Sequence, residues 1–150
     1  MTTEEPCMSC EIGAGRTQTA GGLVHESELF TVTHHGHLGH AMAGFIILQP
    51  RRHVEHIAEF SSDEAAEFGP LLKLASMALM DVCRPEKVYV CSFGSVVKHV
   101  HFYLIPQRVG MPNATELLDA LAAGKYACTE AEAAEVSALV RDAMRRTASA

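Results

Sequence analysis

Four short stretches of the chain carry β-branched and aromatic residues between turn formers, and a fifth repeats apolar residues at helical spacing. Residues 29–33 (Leu-Phe-Thr-Val-Thr) and 44–49 (Gly-Phe-Ile-Ile-Leu-Gln) predict two strands. Residues 87–93 and 99–105 alternate and predict two more, the last ended by Pro106. Between these pairs, Phe68, Leu71, Leu72, Ala75, Leu79 and Val82 recur three or four positions apart, behind Ser61 as N-cap and Glu64 as its capping-box partner. Gly69-Pro70 should kink that helix or limit its first turns. Asn113 with Glu116, and Thr129 with Glu132, open two further helices, and Gly124 stops the first. Strands before and after one long helix, with helices last, predict an α+β fold with a mostly antiparallel sheet. Residues 1–22 read as an irregular arm and 111–150 as a helical tail of one domain spanning 1–150.

The period of two along a strand changes the picture at residues 99–105. It gathers His99, His101 and Tyr103 on one face and leaves Val100, Phe102 and Leu104 for packing on the other. An imidazole whose second nitrogen is held by a partner serves as nucleophile near neutral pH, or as metal ligand. A pair of half-buried, hydrogen-bonded histidines is the bland alternative.

Cys7-Met-Ser-Cys10 has the spacing with which two thiolates clasp one tetrahedral ion, and supplies half of such a site. Nothing before it has the strand-to-helix pattern of a redox pair. His53, after Pro50-Arg-Arg, is either a solvated loop residue or a third ligand brought back by the sheet. The tract from His34 to His40 holds four histidines without acidic or cysteine partners and reads as a polar turn. Arg51, Arg52 and Lys98 are the cations nearest these elements. Gly13 and Gly15 lack the strand and third glycine of a phosphate-cradling loop.

Composition narrows the function classes. Lys+Arg 12 against Asp+Glu 18 gives a net charge of −6, which argues against a surface for duplex nucleic acid but not against a nucleotide pocket. The apolar stretch at residues 41–48 is far shorter than the roughly 20 residues of a membrane span. The acidic start has no apolar core of a secretory signal, and five cysteines make an odd count; both lead us to expect reduced thiols in the cytoplasm.

In order along the chain, Cys7-Met-Ser-Cys10, Gly44-Phe-Ile-Ile-Leu-Gln-Pro-Arg-Arg-His53, the helix after Ser61, Phe93-Gly94 and His99-Val-His-Phe-Tyr-Leu-Ile-Pro106 resemble the histidine triad (HIT) superfamily of nucleotidyl hydrolases and transferases. The resemblance covers residues 7–108, roughly two thirds of the chain, and leaves the tail outside. It implies a HIT-like fold and a nucleotide-type substrate. His101 would then attack an α-phosphate to form a nucleotidyl-histidine, which water or another acceptor resolves. It implies a structural zinc on Cys7, Cys10, His53 and His99, and a homodimer joined through the long helix and a sheet edge. Three positions depart from the family pattern. Tyr103 replaces the third histidine and is a poor proton shuttle near pH 7. Phe45 stands where many members have a histidine. The loop Gly94-Ser-Val-Val-Lys98 differs from the usual sequence, with Gly94, Ser95 and Lys98 as the phosphate-contact candidates. A zinc-braced binding module with little turnover, or a pocket acting on a non-nucleotide metabolite, are the alternatives these departures leave.

Overall fold

The computed structural model describes residues 6–150. The acidic start at residues 1–5, on which the expectation of no export signal rests, lies outside them. The chain runs α1 (Met8–Gly13), β1 (Leu23–Glu26), β2 (Phe30–His34), β3 (Ile46–Pro50), α2 (Ser62–Cys83), β4 (Lys87–Cys91), β5 (Phe102–Gln107), α3 (Ala114–Ala122) and α4 (Glu130–Ala148), with 3₁₀ turns at Leu38–His40 and Ile57–Glu59. The five strands form one sheet in the order β1-β2-β3-β5-β4, every neighbouring pair antiparallel. The α+β expectation holds.

Side-chain alternation divides the sheet's two faces between different partners. Val24, Phe30, Val32, Ile46, Leu48, Phe102 and Leu104 point to one face and are covered by Leu71, Ala75, Ala78 and Leu79 of α2 and by Val136, Val140, Ala143 and Met144 of α4. On the other face Ile105, with Tyr89 and Cys91, meets Leu117 and Leu121 of α3 together with Met42 and Phe45. The arm that carries α1 lies over the remainder of this second face, against Ile47 and Gln49. A cross-strand row Leu23–Thr33–Ile47–Tyr103–Cys91 runs beneath it.

The capping box at Ser61 forms as expected: Glu64 N–H donates to Ser61 Oγ (3.1 Å) and Ser61 N–H to the Glu64 carboxylate (2.8 Å). The helix it opens runs from Ser62 to Cys83 with Pro70 inside it. Pro70 deprives the Ala66 carbonyl of its helical donor, but Ala66, Gly69 and Pro70 are all exposed, so water can serve that carbonyl. Thr129 and Glu132 form the second predicted box. Asn113 precedes α3, but its Oδ1 accepts from Gln107 Nε2 (2.6 Å) and does not cap the helix. Gly124, at φ +74°, follows the end of α3 as a stop should.

Several boundaries differ from expectation. The arm is not wholly irregular: it contains the short helix α1, which has no side-chain cap, and β1 follows it with a bulge between Leu23 and His25. Both are too short to show a period. β4 ends at Cys91, not at residue 93. β5 begins at Phe102, not at His99, because the segment before it bonds elsewhere: Val100 N–H donates to Val54 O (2.8 Å) and the His99 carbonyl accepts from a side chain. Pro106 lies inside β5, opposite Val88, where the strand has passed the end of its pairing with β3 at Ile46↔Leu104.

Candidate functional site

Four side chains from three parts of the chain converge at one edge of the open sheet face. α1 brings Cys7 and Cys10, the turn after β3 brings His53, and the segment entering β5 brings His99, with their ligating atoms all within 4.8 Å of one another. His99 Nδ1 lies 3.6 Å from Cys7 Sγ and 3.5 Å from Cys10 Sγ, and His53 Nδ1 is 3.4 Å from Cys10 Sγ. A tetrahedral ion with metal–sulfur bonds of about 2.3 Å and metal–nitrogen bonds of about 2.0–2.1 Å sets its donors roughly 3.5 Å apart, so these residues fit one. The outer shell supports this. His99 Nε2 is 2.8 Å from the Pro50 carbonyl, which can only accept, so that nitrogen carries the proton and Nδ1 turns its lone pair toward the thiols. Burial of Cys10 and the neighbouring Cys7 raise the Cys10 thiol to about 11, an environment that a bound cation reverses.

Two residues on, His101 is held by the same logic in the opposite sense. Its Nδ1 donates to the His99 carbonyl at 2.7 Å, which leaves Nε2 as the unprotonated nitrogen. The ring is only 7% exposed and forms part of the wall of a cavity of about 470 Å³. Met8, Ser9, Ile12, Thr17, Gln18 and Thr19 of the arm make one side of that cavity. Thr33, His35, Ile47, Gln49, Val97 and Tyr103 make much of the other, and among the described residues no Lys, Arg, Asp or Glu lines it. Burial raises the Tyr103 hydroxyl above its ordinary range, with Cys91 adding to the effect, so it remains an O–H donor. Its ring lies 5.1 Å from that of His101 and 5.0 Å, edge-on, from that of Phe45.

The same architecture recurs among solved structures. A zinc-bound histidine triad family protein from Mycobacterium smegmatis superposes with a TM-score of 0.75 at 15% identity over 96% of each chain. A hypothetical histidine triad nucleotide-binding protein from Sulfolobus tokodaii gives 0.73 at 18% identity over 93% of each. A member of the HIT family from Bacillus subtilis gives 0.60 at 26% identity, covering 71% of this chain and 76% of that one. The chain has the histidine triad fold. No family model matches it, and no curated protein sequence matches it significantly, so the likeness lies in the fold.

Within the histidine triad fold the predicted site residues take unequal places. Cys7, Cys10, His53 and His99 come together, and His101 and Tyr103 share the cavity wall. Phe45 is buried beneath that wall, packed on Tyr103. In the loop between β4 and β5, Gly94 is at φ +65°, Ser95 and Lys98 are exposed, and Val97 is the loop residue that lines the cavity. Arg51 and Arg52 do not line it. Arg51 donates to Ser27 O, Gly13 O and the Glu26 carboxylate, clamping the arm to β1. Arg52 pairs with Glu64 (2.8 Å) and donates to Glu59 O, fixing the turn that carries His53.

The histidine tract is only in part the polar turn its composition suggests. His37 and His40 stack on each other at 4.3 Å. His34 is fully buried; its Nδ1 donates to His35 O (3.1 Å) and its Nε2 accepts from Gly44 N–H (3.1 Å), which ties β2 to the start of β3. His35 enters the site itself. Only the strand period, extended one residue past Thr33 and His34, could have singled it out.

Proposed function

We propose that the protein is a nucleotidyl hydrolase or transferase acting on a nucleoside 5′-phosphate derivative, with His101 as nucleophile. The observation that carries this is the hydrogen bond from His101 Nδ1 to the His99 carbonyl, which leaves Nε2 as the nitrogen free to attack in a residue that lines the cavity. In the step we propose, Nε2 forms a bond to the α-phosphorus while the bond to the leaving group breaks, and that group departs with the bonding pair and takes its proton from water. Water or another acceptor then takes the nucleotidyl group and frees the imidazole. Tyr103 O–H, with backbone amides of residues 94–98 including Gly94 and Ser95, would meet the charge on the phosphoryl oxygens, and Lys98 would approach from the rim. Phe45 supports the Tyr103 ring and contributes no proton.

Zinc on Cys7, Cys10, His53 and His99 would act as a structural brace, since a closed Cys₂His₂ set keeps no open position for substrate. It would fix His99, whose carbonyl accepts the hydrogen bond that orients His101. The odd count of five cysteines, two of them claimed by the metal set, favours a reducing compartment, and on that ground our reading is a cytoplasmic protein. Among the described residues no helix is long and apolar enough to cross a membrane. We further propose a homodimer, for which exposed Met77 and Met80 on α2 and Val90 on the edge strand β4 supply apolar surface; sedimentation velocity reads it.

The test is intact-protein mass spectrometry of the zinc-loaded protein mixed with adenosine or guanosine 5′-phosphoramidate or a dinucleoside polyphosphate, with His101→Ala as control. We expect a nucleotidyl adduct, or substrate loss, that vanishes in His101→Ala while fold and zinc persist. Turnover retained by pure His101→Ala protein would sink the mechanism. A binding module with little turnover is the second reading, favoured by Phe45 and Tyr103 at positions where a histidine would handle protons. It predicts nucleotide binding with neither adduct nor substrate loss.

A further inference from the structure

The space in front of Phe45 is taken by His35. Its ring lies 4.6 Å from that of Phe45 and 5.6 Å from that of Tyr103, whose ring is in turn 5.1 Å from that of His101. Tyr103 thus neighbours both histidines, and all three polar rings line the cavity. His35 is anchored from both ends: its own N–H donates to Phe45 O (2.8 Å), and its Nδ1 accepts from the His37 N–H (3.0 Å). An amide N–H can only donate, so Nδ1 holds a lone pair and the ring proton is on Nε2. That Nε2 has no protein partner among the described residues and is not sealed from the cavity. With no Lys or Arg among the described residues of the lining, an anion there must be met by neutral donors.

We propose, resting on the function above, that His35 is a catalytic residue: its Nε2–H donates a hydrogen bond to a non-bridging oxygen of the phosphoryl group carried by His101. It supplies, from the loop after β2, a donor that Phe45 does not. The imidazole stays neutral throughout. Charge builds on the phosphoryl oxygens as the His101–phosphorus bond forms and the leaving-group bond breaks, and the Nε2–H and the Tyr103 O–H face it without transferring a proton. Burial, with His34, His37 and His101 near it, lowers the imidazole to about 4, in keeping with a neutral donor near pH 7.

The test compares zinc-loaded wild type with His35→Phe, which keeps the ring packing on Phe45 and Tyr103 but removes the N–H, and with His35→Gln, whose amide restores a donor. AMP binding is measured by calorimetry and adduct formation from adenosine 5′-phosphoramidate by quenched-flow mass spectrometry. We expect His35→Phe to bind AMP about 10-fold more weakly and to form adduct about 100-fold more slowly, with His35→Gln recovering most of both. His35→Phe behaving as wild type in both assays overturns the inference, as does a loss that His35→Gln leaves unrepaired. If wild type binds AMP without forming adduct, the covalent reading falls and the binding arm alone decides for or against His35. If wild type does not bind AMP, both fall. Should His35→Phe fail to fold, the imidazole ¹⁵N spectrum of wild type decides: the His35 Nε2–H resonance should shift on AMP addition, and an unmoved signal is a refutation.

Discussion

His35 and His101 carry their protons on opposite ring nitrogens, and in each case the backbone decides which. The His99 carbonyl fixes the proton of His101 on Nδ1, whereas the His37 N–H fixes that of His35 on Nε2. Residue chemistry alone would make the two interchangeable; hydrogen bonding makes one a lone-pair donor and the other a hydrogen-bond donor. The same environment gives His35 a signature in stability. Burial, with help from His34, His37 and His101, takes its imidazole from the ordinary 6.5 to about 4. As pH falls, the unfolded chain therefore takes up a proton at this position before the folded protein does. The stability this group contributes is complete above pH 6.5 and is lost progressively as pH falls toward 4. At pH 5 the loss amounts to about 2 kcal/mol. Urea unfolding at pH 7 and pH 5 should show wild type losing that much more than His35→Gln. Equal losses in the two proteins would mean that the His35 imidazole is hydrated in the folded state.

At the scale of elements, the N-terminus of α2 does two jobs at once. Glu64, only 3% exposed, accepts from Ser61 N–H as half of the capping box and pairs with Arg52, whose neighbour His53 belongs to the Cys/His cluster proposed to hold zinc. The two roles separate by substitution. Ser61→Ala removes the cap and should cost about 1 kcal/mol. Glu64→Gln keeps an acceptor for the Ser61 N–H but withdraws the charge from Arg52, so it should also loosen the His53 turn. Denaturant unfolding measures the first effect. Zinc affinity measures the second, and should fall in Glu64→Gln and stay unchanged in Ser61→Ala.

Capping boxes of this kind were legible in the sequence, as were α2, α4 and the main strands, because each rests on residues within four positions of one another. The clustered cysteines and histidines needed more. Cys7 and Cys10 mark themselves by spacing, whereas His53 and His99 join them only through the pairing of β3 with β5, and resemblance supplied what local pattern could not. What stayed illegible is instructive in the same way. Arg51 and Arg52 look like free cations until the partners Gly13, Glu26 and Glu64 arrive from distant segments. His35 looks like any loop histidine until Phe45 and Tyr103 close around it.

On the scale of the whole molecule, the arm completes the cavity, and what holds the arm is unevenly distributed. Its far end is fixed against α4: Arg141 donates to Leu23 O and Gly21 O, and Gly21 sits so close to Ser137 that an added Cβ would lie 2.6 Å from it. Its near end, with Met8, Ser9 and Ile12 in the cavity wall, is tied by Gln49 Nε2 to Ser9 O, by Arg51 to Gly13 O and by the contacts of Cys7 and Cys10 with His99 and His53. The core between the sheet, α2 and α4 contains none of the four clustered residues. If the four residues hold the zinc we propose, removing it should therefore free one wall of the cavity and leave the fold. Chelation, or Cys7→Ala, should lower the melting temperature by about 10 °C, taking roughly 3 kcal/mol for the lost clasp at about 2–4 °C per kcal/mol. Hydrogen exchange should place the change: residues 7–19 lose protection while β2, β3 and α2 keep theirs. Protection lost evenly across the sheet would mean that the metal holds the whole fold, and undiminished protection in the arm would mean that Gln49 and Arg51 suffice without it.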